Sequence, residues 1–195
     1  ATTILNGERE SGISFMATQQ GIDCGPVYET HRLALDGDET SESLERKLAD
    51  LAAEHVEFCL VQVSKGSISP TPQEESHATY TKRITKDQAR LDWRKSAEEL
   101  EREVRAFWPW PRSWFLLSTE KRTLRIQLVT TEVVSPTATE QPGTVIAADE
   151  HRDGLIVACG EKALKLKTVI PEGKKAMDAT EFLRGTGLPP GSRLE

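Results

Sequence analysis

Hydrophobic and polar positions alternate in two blocks of the chain, one before residue 36 and one after residue 122; between them they follow the helical period. Residues 13–17 (ISFMA) and 27–35 (VYETHRLAL) predict two short strands. Gly, Asp, Thr and Ser over residues 36–43 suit a helix start, and the opening ATTILNGERESG has the pattern of a helix tail running into a turn. Leu44, Leu48, Leu51 and His55, extended by Phe58 and Cys59, share one helical face, which predicts a helix laid on a sheet. The run KGSISPTPQEES at 65–76 breaks both periods and predicts a linker. Ser96 with Glu99 forms a capping box ahead of Leu100, Val104 and Phe107 at i, i+4 and i+7, so these three face a core while Arg102 and Arg105 project elsewhere. Pro109 and Pro111 then stop the helix, because neither offers an N–H and each pushes its predecessor towards an extended conformation. Strands are predicted at 123–133, 143–147, 154–159 and 163–170, separated by turn signals at Pro136, Gly143, Asp153-Gly154 and Gly160, with a short helix over 178–184. Short strands plus one helix in this order predict a small closed barrel of the OB type.

Charge adds an asymmetry that the net value of -6 conceals. Residues 1–78 hold 5 Lys/Arg against 14 Asp/Glu, whereas residues 79–125 hold 12 against 7. A basic stripe centred on the helix and its flanks is a place to look for a polyanion partner, although a solvated charged face has the same composition. The three cysteines, Cys24, Cys59 and Cys159, are far apart and form no C-x-x-C pair, which fits reduced thiols in a cytoplasmic protein. No apolar run reaches the length of a membrane span, no signal peptide opens the chain and no spacing suggests a metal site.

Candidate chemistry is concentrated in few places. The loop TQQGIDCGP holds Asp23 between Gly21 and Gly25, a turn whose backbone is free to approach a ligand. His55, alone on an apolar stripe, reads as a packed residue rather than a ligand. Trp108, Trp110, Trp114 and Phe115 surround the proline stop; they form either a hydrophobic corner or a stacking platform for bases, and alternation with proline favours the corner. Lys174 and Lys175 in PEGKKAM occupy a loop placed to meet phosphate.

GIDCG, TYTKRITKDQARLDW, RAFWPWPRSWF, PGTVI, GLIVACGEKALKL, PEGKKAM and LPPGSRL follow one another in the order and spacing of the methionyl-tRNA formyltransferase family, which the chain resembles over essentially its whole length. The resemblance implies an α/β remnant of a formyltransferase catalytic domain (residues 1–65), a linker (66–88) and a small OB-like β-barrel domain that holds tRNA (89–195). It implies transfer of a formyl group from 10-formyltetrahydrofolate to the methionine amino group of initiator methionyl-tRNA in translation initiation, in a cytoplasmic monomer without a metal.

That reaction needs a proton relay for the attacking amine and a donor for the tetrahedral oxyanion. On the resemblance, Asp23 matches the family's catalytic Asp. The family's His and Asn belong to an N-x-H-x-S-L-L-P type motif that is absent here, and His31, His55, His77 and His151 stand in other contexts. The 195-residue chain is therefore expected to be a fragment inactive by itself. Lys82, Arg83, Lys86, Arg112, Lys174 and Lys175 are the expected tRNA contacts. Two other functions fit part of the pattern. An amino-sugar formyltransferase would share GIDxG and a barrel, and a stand-alone RNA-binding module would leave the acidic first 65 residues without a role.

Overall fold

A computed structural model describes residues 1–119, 122–135, 140–149 and 154–195. The turn signals at Pro136 and Asp153, and His151, lie outside the described residues. A four-residue helix, α1 (Thr2–Leu5), leads into an antiparallel hairpin of β1 (Glu10–Met16) and β2 (Val27–Ala34), in which Ile13 pairs with His31 and Phe15 with Glu29. Helix α2 (Ser41–Ser64) starts where Thr40 accepts from Ser43 N and the Ser43 hydroxyl accepts from Thr40 N, a reciprocal cap. It packs on one face of the hairpin.

That contact is partly polar. The His31 and His55 rings stack at 3.8 Å, Phe15 meets His31 edge-on, and Glu29 Oε2 lies 3.2 Å from His31 Nε2. His55 is thus a packed residue, as its place on the stripe implied. Phe58 is not: it is 60% exposed, because it falls at the margin of the face whose centre carries Leu44 and Cys59.

Residues from 65 run along the surface, yet Thr71 forms two 2.8 Å backbone hydrogen bonds with Val27 and so adds a bridge to the hairpin edge. Helix α3 (Ala97–Ala106) begins at the Ser96–Glu99 capping box seen in the sequence. Two cis peptide bonds, Trp108–Pro109 and Trp110–Pro111, follow it. Strand β3 (Trp114–Ser118), which the sequence pattern did not separate from the proline stop, then opens an antiparallel sheet with β4 (Thr123–Val134), β5 (Val145–Asp149), β6 (Gly154–Ala158), β7 (Ala163–Pro171) and the two-residue β8 (Met177–Asp178). The order is β3-β4-β7-β6-β5, with β8 on β7.

The two outer edges are joined by the C-terminal residues. Leu116 of β3 exchanges backbone hydrogen bonds with Glu195, while Val145 N donates to Ser192 O and Leu194 N to Gly143 O. Extended residues 192–195 therefore seam β3 to β5 and leave neither edge open. Inside, Phe115, Ile126, Leu128, Leu164, Leu166 and Val169 are buried with Leu100 and Val104 of α3 and Phe182 of the last helix, α4 (Ala179–Thr186). Trp93 meets Phe115 edge-on at 5.7 Å.

Helix α3 also joins the two parts of the chain. Its Ala106 buries with Ile4 and Leu44 in a second, smaller core. Arg102 Nε donates to Leu5 O, Arg105 Nη1 to Glu39 O, and Ser41 Oγ to Ala106 O. Arg102 and Arg105 project away from the core of the curled sheet as expected, but they dock the hairpin unit instead of facing water. Periodicity marks a face as polar; it does not say what covers that face. Among the described residues no helix is long and apolar enough to cross a membrane.

Candidate functional site

The loop between β1 and β2 carries Asp23 in the left-handed region at φ 55°, with Gly21 at φ 116°. A side chain at Gly25 would place its Cβ 1.7 Å from Ala17 O, so this glycine is what lets the loop close tightly. Gln73, from the stretch read as linker, donates through Nε2 to both Asp23 O and Gly25 O at 2.8 Å. The backbone of the loop is thereby pinned while the Asp23 side chain stays exposed, without a hydrogen bond or ion pair among the described residues. Sequence reasoning missed Gln73, since nothing local pairs a linker glutamine with a loop fifty residues earlier.

Another carboxylate cluster has a structural account. Asp36, Asp38 and Glu39 converge, but Glu39 already accepts from Asp36 N at 2.9 Å, Gly37 N at 3.0 Å and Lys47 Nζ at 2.8 Å. Burial pushes the Glu39 carboxyl up, and these hydrogen bonds outweigh it and bring it down to about 2. The cluster closes the turn into α2.

The six basic residues singled out in the sequence fall in three places. Lys82, Arg83 and Lys86 are exposed along the segment before α3. Lys174 and Lys175 are exposed in the turn after β7. Lys174, with Arg122, lines a cavity of about 730 Å³ between that turn, the β3–β4 end and α4, whose apolar wall includes Leu117, Leu124 and Phe182. Arg112 sits at φ 71° in the turn before β3, lies 5.0 Å from the centre of the Trp108 ring and donates to Pro109 O. The Arg112 side chain reaches Gln127 of β4 at 3.5 Å, and Gln127 pairs with Ile170 and Ile126 with Pro171 at the end of β7 from which the lysine turn starts, so Arg112 and the lysines flank the same part of β4. Asp23 stands apart from all of them, in the hairpin unit.

The aromatic residues divide between the two roles weighed for them. Phe115 is fully buried, as a packed corner requires, whereas Trp110 is 54% exposed. Trp114 is half-buried beneath two guanidinium groups, Arg125 at 4.2 Å and Arg90 at 5.8 Å. Neither arginine stood out in the sequence. Arg90 lies 24 residues before Trp114, and only the bridge between them brings the two together.

Residues 83–187, more than half of the chain, match the family model described as formyl transferase, C-terminal domain. The chain belongs to the formyl transferase family. It is 41% identical over 190 residues to a methionyl-tRNA formyltransferase of Myxococcus xanthus, covering 97% of this chain and 58% of the relative. It is 35% identical over 191 residues to that of Parvibaculum lavamentivorans, covering 98% and 60%. The chain thus spans about three fifths of the length of the curated formyl transferase relatives it matches. Among solved structures, HypX from Aquifex aeolicus in complex with tetrahydrofolic acid superposes with a TM-score of 0.66 at 19% identity, over 93% of this chain and 31% of the other, which is a likeness of fold. Within the formyl transferase family, then, this chain supplies a curled antiparallel sheet, the helices that cover it and a hairpin unit docked through α3.

Proposed function

We propose that the chain is the RNA-holding part of a methionyl-tRNA formyltransferase, which moves the formyl group of 10-formyltetrahydrofolate onto the methionine amino group of initiator methionyl-tRNA in the cytoplasm. The observation that carries this reading is the 35–41% identity to methionyl-tRNA formyltransferases along 97–98% of the chain. On it, residues 1–65 are catalytic-domain sequence, 66–88 a linker and 89–195 an OB-like tRNA-binding domain, in a monomer. The folate donor supplies the formyl carbon when bound. The chain's own contribution to the reaction centre is Asp23, whose carboxylate is free to orient or relay a proton because Gln73 holds the loop by its backbone and not by that side chain.

The same reading gives Lys82, Arg83, Lys86, Arg112, Lys174 and Lys175 to tRNA phosphates, and the exposure of all but the half-buried Arg112 supports it. Since no N-x-H-x-S-L-L-P motif accompanies Asp23, the 195 residues alone bind initiator tRNA without turning over. The test is a salt series. Replacing Lys82, Arg83 and Lys86 together with alanine is expected to weaken binding of initiator tRNA and to lower the slope of log affinity against log salt by about three. An unchanged slope, or formylation of charged initiator tRNA by the chain well above background, overturns the assignment.

A further inference from the structure

Three arginines line up on the outer face of the barrel without a carboxylate partner among the described residues. On β4 the side chains of Leu124, Ile126 and Leu128 point inward, so Arg125 and Gln127 point outward. Trp114 of β3 pairs with Gln127, and Arg90 is bridged to Trp114 on its other side, with Leu91 N donating to Trp114 O. Arg90 and Arg125 both lie over the Trp114 ring, and Arg112, bonded to Gln127, lies over Trp108. The result is one patch made of three guanidinium planes, two half-buried indoles and the exposed Trp110 at its border.

The neighbouring acids leave the patch positive. The Asp92 carboxylate is taken up by Arg94 at 2.7–2.8 Å. Glu172 faces the backbone N of Arg125 at 3.4 Å, not its guanidinium. Asp87 is exposed three residues before Arg90. Within the stack itself, Arg125 Nε and Trp114 Nε1 are buried donors that meet no acceptor.

A guanidinium laid on an aromatic face keeps its in-plane N–H groups free, and these match the oxygens of a phosphate. We infer that Arg90, Arg112 and Arg125, held over the Trp114 and Trp108 rings, form a phosphodiester-binding surface for RNA, with Trp110 as a stacking site for an unpaired base beside it. This rests on the tRNA reading and adds Arg90, Arg125 and Trp110 to it. The patch continues the basic segment at Lys82, Arg83 and Lys86, which enters Arg90 through a single 3-10 turn (Asp87–Ala89). The direction of the chain therefore carries a polyanion from linker to barrel.

The experiment uses the whole 195-residue chain, a labelled initiator tRNA transcript and a salt series. Arg90→Gln with Arg125→Gln is expected to weaken binding at least tenfold at about 100 mM salt and to reduce the log–log slope by about two. Arg90→Lys with Arg125→Lys keeps the charges and loses the flat stack, so it should retain the slope and recover only part of the affinity. Trp110→Ala should cost about fivefold with the slope unchanged, as loss of one base stack does. Circular dichroism of each variant separates lost binding from lost folding. A folded Gln variant with native slope and affinity overturns the surface while leaving the tRNA reading intact. Failure of the unsubstituted chain to bind the transcript overturns the tRNA reading itself. Competition by polyglutamate as effective as that by RNA overturns the choice of RNA as partner.

Discussion

The hairpin unit and the curled sheet are built from similar side chains and reach different degrees of completion. Among the described residues, twenty-one buried ones form one continuous cluster in and around the curled sheet, whereas the small core beneath α1 and α2 has three, Ile4, Leu44 and Ala106, and one of these belongs to α3. The exposed large apolar residues follow the same division: Met16, Ile22, Val56, Phe58, Leu60 and Val61 are in the hairpin unit, and outside it only Tyr80 and Trp110 among the described residues. The difference teaches that in this chain a closed sheet can bury both its edges and its inner face, while a two-stranded hairpin with one helix buries one side of each. The hairpin unit takes its order from outside, through the Arg102, Arg105 and Ser41 hydrogen bonds to α3 and its neighbours and through Gln73 on the Asp23 loop.

Thiol reactivity offers the widest separation between the two regions. Burial raises the Cys159 thiol to about 12 and also raises that of Cys59, while Cys24 is exposed. Alkylation followed by peptide mass spectrometry should therefore label Cys24 first. Cys59 should come ahead of Cys159 by on the order of tenfold or more, because the hairpin unit opens locally more readily than the barrel. Equal rates at Cys59 and Cys159 would erase the contrast.

Core truncation comes next. Phe115→Ala should cost about 3–5 kcal/mol in equilibrium unfolding, since Phe115 lies at the barrel centre, while Phe58→Ala should change stability by less than about 0.5 kcal/mol. A large loss at Phe58 would mean that α2 is covered in solution by another copy of the chain.

A smaller loss than that at Phe115 is expected at the turn that sets α2. Glu39→Gln should destabilise the hairpin unit by about 2 kcal/mol and leave the barrel intact. Because the folded carboxyl is held at about 2, below its ordinary 4.5, the stability it contributes is present above pH 4.5 and is lost as pH falls towards 2. Protection factors of α2 amides, corrected for the intrinsic pH dependence of exchange, should fall from pH 5 to pH 3 ahead of those of β4 and β7 in the native chain. In the Gln variant that early fall should be absent.

Much of the local structure was legible in the residues. The capping box at Ser96, the proline stop, the hairpin strands and most barrel strands follow from spacing that any window of the chain displays, because caps, turns and alternation are set by neighbours within a few positions. Strand β3 was hidden by its five residues and by the aromatic run in which it starts. The Asp23 loop was visible through its glycines and its partner Gln73 was not. Of the basic residues, those in isolated runs such as Lys82, Arg83, Lys174 and Lys175 stood out. Arg90 and Arg125 did not, as each is a single arginine among ordinary neighbours.

By itself, then, the sequence determined most of the helices and strands, β3 excepted, and the family to which they belong. Only the tertiary structure decided that residues 192–195 close the sheet, that Arg102 and Arg105 dock the hairpin unit, and that Arg90 and Arg125 meet on Trp114. The physical reason is the range of the interactions. Periodicity and capping act between residues a turn or a pleat apart, while seams, docking bonds and stacks join residues that are brought together only when the whole chain closes around one core.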